Sequence, residues 1–476
     1  MRLGELLKGV AIEGKIPEIE IKGITCDSRA VQEGFLFAAI PGELTDGHRY
    51  AASAAEKGAA VILAEHPTES GALELYASST RAAYQQICAN FFHNPQKDLH
   101  FLGVTGTNGK TSTSQFVKSI LDGLGEKAGL IGTVHNQIGA ETFPAAFTTP
   151  EPYQLFELLA KMRDAGVKTV VMEVSSQAMD QRRVDSLSFS VAGFTNLTQD
   201  HLDYHKTMEI YKEAKARLFS LAESAVSNLD DACGKEFYER FGGLSYSIKD
   251  SAADLFADEI EVSVGGVVYQ LHYQGKSASV QVSTPGLFTV HNTLCAAGLL
   301  LADGLSFEKV VEGLNKIPKV PGRAEVITTN EPFTVMLDYA HTPDALENIL
   351  STIKTFAKGR VVTLFGCGGD RDRTKRPLMA KAVAKYSDYV ILTSDNPRSE
   401  EPQFILADVV EGLQGSNVPY EVIESRREAI GAAIMGAKEN DIILLAGKGH
   451  EDYQVLKKGK VHFDEKEIVK EFLARR

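Results

Sequence analysis

Short apolar runs rich in Val, Ile and Phe alternate with longer amphipathic stretches along almost the whole chain. Buried parallel strands carry continuous apolar side chains because helices cover both faces of such a sheet. Apolar runs that alternate with helical stretches are therefore typical of α/β units. The pattern predicts an α/β fold with mostly parallel sheets. The clearest strand candidates are residues 101–104, 169–172, 191–194, 361–365, 389–392 and 442–445.

Two stretches interrupt this pattern and divide the chain into three segments. Residues 93–98 contain Asn94-Pro95, and residues 317–322 contain two prolines and a glycine, which oppose both helix and strand. The predicted domains are residues 1–97, 98–327 and 328–476. A length of 476 residues agrees with this division at about 150 residues per domain. Inside the middle segment, residues 260–272 predict a hairpin that turns at Gly265-Gly266.

Composition and charge narrow the class of protein. Hydrophobic residues make up 43% and charged residues 24%, which excludes a mostly disordered chain. The net charge of −13 argues against nucleic acid or an anionic membrane as partner. No apolar run approaches the roughly 20 residues of a membrane span, and the N-terminus lacks the apolar core of a signal peptide. The composition predicts a cytoplasmic protein with small-molecule ligands.

Cysteine and histidine spacing gives no sign of a zinc site. The five cysteines are far apart and form no CxxC pair, and the 12 histidines form no HExxH motif. Scattered cysteines predict free thiols in a reducing compartment.

A glycine-rich segment follows the first strand candidate of the middle domain. It reads Gly103-Val-Thr-Gly-Thr-Asn-Gly-Lys-Thr-Ser-Thr113, and a helical pattern follows. Glycines let backbone N–H groups turn towards a phosphate, and a helix N-terminus favours its charge. Lys110 would reach the β- and γ-phosphates, and the Thr111 hydroxyl would bind Mg²⁺. Val104 stands where the strict motif has its first glycine. A turn that binds nothing is the alternative, but the order of strand, glycines, lysine, hydroxyl and helix favours nucleotide binding.

Ionisable side chains follow the next strands. Glu173 closes one strand and is a candidate Mg²⁺ ligand, because Mg²⁺ takes oxygen ligands, whereas a solvated carboxylate is the alternative. Lys212 and Lys215 have the spacing of ordinary solvated helix lysines. A cluster before them could serve a metal, a proton transfer or a phosphate, or could be a polar loop of capping residues. The cluster consists of Asp200, His201, Asp203 and His205.

Four polar clusters follow strand candidates in the last segment. In an open parallel sheet, ligands bind beyond the carboxyl ends of the strands, so the clusters predict one composite site. Its cations and carboxylates together suit a zwitterion such as an amino acid, because a guanidinium binds a carboxylate bidentately. Each cluster alone could be turn chemistry. The clusters lie at residues 338–344, 366–373, 395–398 and 447–451, and their charged members include Arg371, Asp395, Arg398, Lys448 and Glu451.

Taken together, these motifs resemble those of the Mur ligases, and in particular the members that add the third residue of the peptidoglycan stem peptide. The resemblance covers all three segments in order. It implies a three-domain fold with a central P-loop-type ATPase domain and a Rossmann-like C-terminal domain. The matching segments are 26–29, 34–38, 46–48, 103–112, 172–176, 194–205, 320–323, 338–347 and 446–451.

The resemblance implies an amide ligase of peptidoglycan precursor synthesis. Such enzymes couple ATP cleavage, with Mg²⁺, to joining a diamino acid to the D-Glu γ-carboxylate of UDP-MurNAc-L-Ala-D-Glu through an acyl phosphate. The implied ATP contacts are Thr105, Gly106, Thr107, Asn108, Gly109, Lys110, Thr111, Asn292, Arg323 and Asp338. The implied contacts to the UDP substrate are Ser28, Thr148, Thr149, Ser175, Gln181 and Arg183.

The same resemblance assigns catalytic and metal-binding roles. Lys110, His201 and Lys215 are the implied catalytic residues. Lys215 stands where Mur ligases carry a carbamylated lysine, which turns a cation into an anion able to help hold Mg²⁺. This replaces the interpretation of Lys215 as a solvated lysine. The implied metal ligands are Thr111, Glu173, His201 and carbamylated Lys215.

The amino-acid substrate is implied by residues 395–398. Asp-Asn-Pro-Arg resembles the motif of the members that take meso-diaminopimelate, whose second carboxylate would suit the Arg398 guanidinium. Two departures, Gln177 and Thr289, put only local contacts in doubt. The implied contacts to this amino acid are Arg371, Asp395, Asn396, Pro397, Arg398, Gly447 and Glu451.

Two rival hypotheses remain at this point. One is another amide ligase of the superfamily, such as MurF or folylpolyglutamate synthetase, against which residues 27–29 and 395–398 argue. The other is a nucleotide-gated switch without ligase chemistry, which would not need polar clusters at four strand ends. We expect a monomer that acts on small molecules.

Overall fold

A computed structural model describes residues 1–13, 15–42, 45–327 and 330–476. The chain forms two compact units. The first comprises Met1–Thr105, Gly125–Ala192 and Ala214–Ser224, and the second comprises Gly106–Leu124, Gly193–Glu213 and Ala225–Arg476. The predicted start of the third domain, residue 328, lies outside the described residues, and the three domain boundaries stay predictions. Within the described ranges, every helix is too short or too polar to cross a membrane.

The helices of the described residues include two short 3-10 helices at Gly47–Tyr50 and Pro95–Asp98. The α-helices are, in chain order, α1 (Leu3–Leu6), α2 (Ala51–Glu56), α3 (Thr80–Phe91), α4 (Lys110–Gly123), α5 (Pro152–Asp164), α6 (Ser176–Asp180), α7 (Leu202–His205), α8 (Met208–Phe219), α9 (Ala232–Phe241), α10 (Leu287–Ala302), α11 (Phe307–Leu314), α12 (Pro343–Phe356), α13 (Lys375–Tyr386), α14 (Pro402–Glu411), α15 (Arg426–Met435) and α16 (Glu465–Arg475).

The strands cover each of the predicted strand candidates. They are, in chain order, β1 (Gly23–Thr25), β2 (Phe35–Ala38), β3 (Val61–Ala64), β4 (Leu73–Tyr76), β5 (His100–Thr105), β6 (Gly129–Ile131), β7 (His135–Ile138), β8 (Glu141–Pro144), β9 (Thr169–Glu173), β10 (Phe189–Phe194), β11 (Ala222–Asn228), β12 (Leu244–Ser247), β13 (Leu255–Ser263), β14 (Gly266–Tyr273), β15 (Lys276–Val282), β16 (Glu325–Ile327), β17 (Thr334–Asp338), β18 (Val361–Phe365), β19 (Tyr389–Leu392), β20 (Tyr420–Val422), β21 (Ile442–Ala446), β22 (Tyr453–Leu456) and β23 (Gly459–His462).

The first unit contains two sheet regions. Strands β1 to β4 pair in parallel in chain order. The second region has the order β10-β5-β9-β6-β7-β8, in which β5, β9 and β6 are parallel and β7 and β8 form an antiparallel edge. The buried strands β5 and β9 carry the continuous apolar side chains from which parallel strands were predicted.

In the second unit, β11, β12 and β13 are parallel, and β13, β14 and β15 form an antiparallel meander. The predicted hairpin is confirmed as β13–β14. Gly266 has φ 139°, and a Cβ there would lie 2.0 Å from the Val282 carbonyl oxygen, so the position requires glycine.

The C-terminal part of the second unit is a sheet of order β16-β17-β21-β18-β19-β20. Strands β17, β21, β18, β19 and β20 are parallel, and β16 is antiparallel to β17. Successive side chains of each strand face opposite sides of the sheet. Met336 and Leu444 therefore pack with α12, α13 and α14, whereas Val335 and Ile443 pack with α15 and α16. Helices on both faces make this a doubly wound α/β sheet, as predicted.

An ion pair between the buried Asp441 and the partly exposed Arg360 joins the turn before β21 to the start of β18. The Arg360 guanidinium lies 2.5 Å from the Asp441 carboxylate, which also accepts the Lys438 amide at 2.7 Å. Burial alone would raise the pKa of Asp441, but these donors hold the pKa below its ordinary value. The pair therefore stabilises the fold only while Asp441 is ionised.

We expect Asp441→Asn to lower the free energy of unfolding at pH 7 by about 1.5–3 kcal/mol, since it weakens hydrogen bonds to a charged group. A lowered folded pKa gives stability that is fully present above the unfolded pKa of about 3.9 and is lost as pH falls from there through the lower folded pKa. The difference from the parent should therefore stay constant from about pH 8 to about pH 5 and shrink below that. Urea unfolding across this range measures it. The exposed Asp98→Asn is the control, and an equal loss there would contradict the assignment.

Candidate active site

The glycine-rich segment forms a loop between β5 and α4, as predicted. Helix α4 begins at Lys110, and Gly106 and Gly109 have φ of 145° and 86°. A Cβ at Gly106 would lie 1.8 Å from Thr195 Oγ1, and one at Gly109 would lie 2.2 Å from Asn292 Oδ1. Both positions therefore require glycine for conformation and for space. The loop precedes a helix N-terminus, which is the geometry of a phosphate-binding loop.

Residues after β10 hold this loop in place. Thr195 Oγ1 donates to the Asn108 carbonyl at 2.6 Å, and Asn196 Oδ1 accepts the Asn108 amide at 2.9 Å. Lys110 Nζ donates to the carbonyls of Gly106 and Thr107 at 2.8 and 2.9 Å. The lysine thus lies across the loop, where a phosphate could replace these neutral acceptors. Sequence reasoning missed Thr195 and Asn196 as loop supports, because their role depends on how β10 and the loop approach each other.

Three of the predicted ATP contacts lie together beside the loop. Arg323 Nη2 donates to Thr111 Oγ1 at 3.2 Å, and the guanidinium lies 4.5 Å from the centre of the Tyr339 ring. Asp338 accepts the backbone amides of Ala324 and Ala340, both at 2.7 Å. Burial raises the pKa of Asp338, and the nearby Arg323 charge opposes this shift. Asp338 therefore braces the backbone beside Arg323.

Thr105 has a different environment from the other predicted ATP contacts. Its hydroxyl is buried and donates to the Val174 carbonyl at 2.8 Å within the first unit. That bond ties the end of β5 to the end of β9. Thr105 therefore supports the strand with its side chain.

The Asp200 cluster is more than a polar loop. Asp200 is buried, with Lys375 Nζ 3.2 Å and His201 Nε2 3.5 Å from its carboxylate. Burial would raise the pKa of Asp200, but electrostatic interaction with His201, Lys375 and His341 and the hydrogen bond from the His201 amide lower it below its ordinary value. Asp200 is therefore an ionised carboxylate that orients His201. Sequence reasoning missed Lys375 and His341, which come from distant segments.

Glu173 lies at the buried end of β9 in the first unit. Its Oε1 accepts the Thr133 amide and its Oε2 accepts the Thr133 hydroxyl, both at 2.9 Å. A Cβ at Gly132 would lie 2.3 Å from Oε1, so the glycine leaves space for the carboxylate. Only 1% of Glu173 is exposed, which rules out the interpretation as a solvated strand-end carboxylate. The oriented carboxylate supplies the oxygen donors that Mg²⁺ prefers.

The predicted UDP-substrate contacts gather around Glu173, with Ser28 apart from them in the chain. Thr148 Oγ1 lies 3.0 Å from Thr133 Oγ1, and Thr149 Oγ1 donates to the Glu173 carbonyl at 2.9 Å. Thr149 Oγ1 also accepts the Ser175 amide at 3.0 Å.

Arg183 completes this group. It donates to the Thr149 carbonyl at 2.7 Å and to Gln181 Oε1 at 2.6 Å, and it pairs with Glu151 at 2.6 Å. Ser28 lies in the loop after β1, where its carbonyl accepts Lys57 Nζ at 2.8 Å. Of the two departures, Thr289 is structural, since it is buried and its hydroxyl donates to the Pro285 carbonyl.

Lys212 and Lys215 differ although both lie on α8. Lys212 pairs with the exposed carboxylates of Glu209 and Glu236 at 3.0 and 2.9 Å, as a surface lysine does. Lys215 is only 1% exposed, so the interpretation as a solvated lysine is wrong for it. The helix turns this side chain into the unit, and a buried lysine is costly without a special environment. Glu173 and Lys215 belong to the first unit, and Thr111 and His201 to the second.

The four polar clusters of the last segment follow β17, β21, β18 and β19, which are neighbouring parallel strands. They therefore meet at one edge of the sheet, as predicted. Asn396 is held on all sides. Its Nδ2 donates to Glu451 Oε2 at 2.9 Å, and its Oδ1 accepts the Val455 amide at 2.9 Å. Gln454 Nε2 donates to the Asp395 carbonyl at 2.5 Å. The β22–β23 hairpin thus fixes the turn of residues 395–398.

Arg371 and Arg398 form the cationic part of this edge. Arg398 has φ 54°, and its Nη1 donates to the Gly369 carbonyl at 2.8 Å. Burial lowers the pKa of Arg398, and the charge of Arg371 lowers it further. Two guanidinium groups that repel each other favour an anion between them. Gly447, with φ 111°, leaves space beside Asp395, since a Cβ there would lie 3.4 Å from Asp395 Oδ2.

Ion pairs and hydrogen bonds hold the two loops that carry Arg371 and Arg398. Arg376 is buried and pairs with Glu400 and Asp408, both at 2.8 Å. Glu400 Oε1 also accepts the Asp370 amide at 2.5 Å. Asp370 in turn accepts the Ser399 hydroxyl at 2.7 Å. These contacts tie the loop that carries Arg371 to the turn that carries Arg398.

Comparison with known families and proteins agrees with this architecture. Family models described as Mur ligase family, catalytic domain, as Mur ligase middle domain, and as Mur ligase, glutamate ligase domain match residues 20–96, 104–300 and 322–449. The chain is 45% identical, over 483 residues, to the UDP-N-acetylmuramoyl-L-alanyl-D-glutamate--2,6-diaminopimelate ligase of Caldanaerobacter subterraneus subsp. tengcongensis, and the match covers 100% of this chain and 99% of that protein.

Another relative and two solved structures also resemble this chain over most of its length. The protein of the same name from Bacillus cereus is 45% identical over 468 residues, covering 96% of this chain and 95% of that protein. A solved structure of a ligase with this name is 32% identical, with a TM-score of 0.71, and covers 100% of this chain and 99% of its own. A crystal structure of MurF from Acinetobacter baumannii, 20% identical with a TM-score of 0.67 over 99% of this chain and 98% of its own, shares the fold. The chain therefore belongs to the Mur ligase family.

Proposed function

We propose that this chain is the ATP-dependent ligase that joins meso-diaminopimelate to the D-Glu γ-carboxylate of UDP-MurNAc-L-Ala-D-Glu in peptidoglycan precursor synthesis. The observation that carries the proposal is the edge of the C-terminal sheet. Arg371 and Arg398 there suit a carboxylate, and Asp395 and Glu451 suit an ammonium group. The named relatives at 45% identity over the chain support the same reaction.

The first chemical step takes place at the phosphate loop. The D-Glu carboxylate attacks the γ-phosphorus of ATP, and ADP leaves, which forms an acyl phosphate. Lys110 and the loop amides stabilise the charge that develops on the γ-phosphate oxygens. Asn292 and Arg323 hold the nucleotide beside the loop.

The buried, oriented carboxylate of Glu173 offers the oxygen donors that Mg²⁺ prefers. We propose that Mg²⁺ is held by Thr111, Glu173, His201 and carbamylated Lys215. When bound there, it would neutralise part of the negative charge of the phosphates. Asp200 keeps His201 oriented. The burial of Lys215 distinguishes it from the surface residue Lys212, and the family resemblance is what suggests the carbamate.

The second chemical step takes place at the carboxyl edge of the C-terminal sheet. The amine of diaminopimelate attacks the acyl phosphate carbon, and phosphate leaves from the tetrahedral intermediate as the amide forms. Arg371 and Arg398 bind the carboxylate at the far end of the amino acid. Lysine lacks that carboxylate, so the two guanidinium groups would face each other without an anion. This is the proposed source of specificity.

We propose a separate task for each segment. Residues 1–97 bind the UDP end through Ser28, residues 98–327 bind ATP and Mg²⁺, and residues 328–476 bind the amino acid. The chain is proposed to act in the cytoplasm as a monomer on small molecules.

Phosphate release with UDP-MurNAc-L-Ala-D-Glu tests this function. Release should require ATP and meso-diaminopimelate together, and L-lysine in its place should support little. Release that is independent of any amino acid would instead favour a nucleotide switch. Equal rates with lysine would contradict the proposed specificity.

We expect Thr133→Val to weaken the binding of Mg²⁺, so that the reaction requires a higher Mg²⁺ concentration. Valine keeps the shape but leaves Glu173 Oε2 without the hydroxyl that orients it. Loss of such an outer-shell partner costs about 10–100-fold in metal affinity or activity. The Mg²⁺ concentration that gives half the maximal rate should rise accordingly. Thr142→Val, at an exposed position of β8, is the control, and an unchanged Mg²⁺ dependence of the Thr133 variant would refute the role.

A further inference from the structure

Lys448 lies at the centre of the proposed amino-acid pocket and has no solvent exposure. Its Nζ lies 3.3 Å from Asp395 Oδ1, 3.2 Å from Asn396 Oδ1 and 3.0 Å from Glu451 Oε2. An ammonium group has three N–H donors, so each of them has a protein acceptor. Lys448 therefore acts on other protein groups and has no donor to spare for a ligand.

The two carboxylates beside Lys448 come from different strands. Asp395 follows β19 and Glu451 follows β21, and β18 lies between these strands in the sheet. Side chains from separate loops have no local reason to stay close, and two buried carboxylates repel each other. The Lys448 ammonium bonds to both of them. With it, the group of Asp395, Lys448 and Glu451 has a net charge of −1, which matches one ammonium group of a ligand.

Other ionisable groups around this triad are already engaged. Glu465 and Arg426 form their own buried pair at 2.8 Å. Arg398 donates to the Gly369 and Asn396 carbonyls, and its charge also interacts with Asp395 and Glu451. The Tyr453 and Phe463 rings lie 5.8 and 6.0 Å from Lys448 Nζ. Burial raises the pKa of Tyr339, and the charges of Glu451 and Asp395 raise it further. Among the residues that the structure describes, Lys448 is thus the cation bonded to both carboxylates.

We propose that Lys448 is a positioning residue for the amino-acid substrate, which acts by holding Asp395 and Glu451 together at a net charge of −1. This rests on the proposed function of the pocket. The lysine sets both the distance between the two carboxylates and the charge that the incoming diamino acid meets. It touches neither the substrate nor ATP.

The test compares Lys448→Met with the matched control Lys458→Met, which removes an exposed lysine from the turn of the β22–β23 hairpin. The KM for meso-diaminopimelate should rise about tenfold or more in Lys448→Met, because a buried charge pair loses its partner. The KM for ATP should stay within about twofold, since the phosphate loop is unchanged. Lys458→Met should resemble the parent in both.

The pH dependence of the KM for meso-diaminopimelate distinguishes loss of the Lys448 charge from loss of its packing. Without Lys448, repulsion between Asp395 and Glu451 raises the pKa of one carboxyl group. As pH falls, that group binds a proton and the net charge returns to −1. The ratio of the KM of Lys448→Met to the parental KM should therefore decrease from about pH 9 to about pH 6.5. A cavity or a shifted loop would leave this ratio constant.

Lys448→Gln is the second variant if methionine prevents folding, as judged by circular dichroism and thermal unfolding. Glutamine keeps a donor for Asn396 or Glu451 but removes the charge, so the same rise in KM and the same pH trend are expected. An unchanged KM for meso-diaminopimelate, an equal rise in the KM for ATP, a constant ratio across pH, or failure of both variants to fold would overturn the proposal. If the parent itself releases no phosphate with meso-diaminopimelate, the proposed function fails instead.

Discussion

Lys110→Ala is expected to reduce ATP-dependent phosphate release by at least about 100-fold, because removal of one preorganised donor to a developing charge costs that much. Lys110 now bonds to the carbonyls of Gly106 and Thr107, which are weaker acceptors than phosphate oxygens. On nucleotide binding the ammonium would exchange them for the γ-phosphate. Alanine removes this donor and leaves that charge to the loop amides and Mg²⁺.

The Lys110→Ala substitution should reduce phosphate release but should not weaken binding of the UDP substrate. Binding of UDP-MurNAc-L-Ala-D-Glu, measured by calorimetry, should match the parent, because its proposed contacts lie on Thr148, Thr149 and Arg183. Lys161→Ala, an exposed lysine on α5, is the matched control and should release phosphate normally. Near-normal release by Lys110→Ala would refute the role of the loop.

Arg398→Ala is expected to raise the KM for meso-diaminopimelate by about 10–100-fold while the KM for ATP stays unchanged. A charge-assisted hydrogen bond contributes about 1.5–3 kcal/mol, and tenfold in binding corresponds to about 1.4 kcal/mol. Alanine also removes the repulsion with Arg371, so the remaining guanidinium would bind the distal carboxylate alone. The preference for diaminopimelate over lysine should fall by a similar factor, measured as the ratio of kcat/KM values.

Arg427→Ala is the matched control, since Arg427 is a half-exposed arginine on α15 that pairs with Glu471. It should leave both KM values as in the parent. An Arg398 variant with an unchanged KM for diaminopimelate would mean that the distal carboxylate binds elsewhere. A rise in the KM for both amino acid and ATP would point to a disturbed fold.

Much of the fold followed from local patterns. Strands β18 and β19 have the predicted bounds, because short Val- and Ile-rich runs between helices have few other ways to be buried. The hairpin at Gly265-Gly266 was predicted from its turn residues. Parallel pairing at the carboxyl edge of the C-terminal sheet also followed from alternating strands and helices.

The site was predictable where its chemistry lies in one continuous segment. The phosphate loop is such a segment, and so is the turn of residues 395–398. The contacts of Thr133, Lys375 and Lys448 could not be predicted, because their partners are far away in the sequence. These partners are Glu173, Asp200 and Asp395. Lys215 shows the limit of periodicity, since its spacing matches that of the surface residue Lys212.

Residue order was enough to predict the kind of fold and the position of the nucleotide loop, because each depends on short stretches of the chain. The resemblance to the Mur ligases followed from several such stretches occurring in order along all three segments. The tertiary structure decided which side chains are buried and what they bond to. It showed that Glu173 and Lys215 are buried, where the local pattern alone had left a solvated position open, and it placed Lys448 between two carboxylates. The physical reason is that burial and pairing depend on contacts between distant segments, which the local order of residues does not specify.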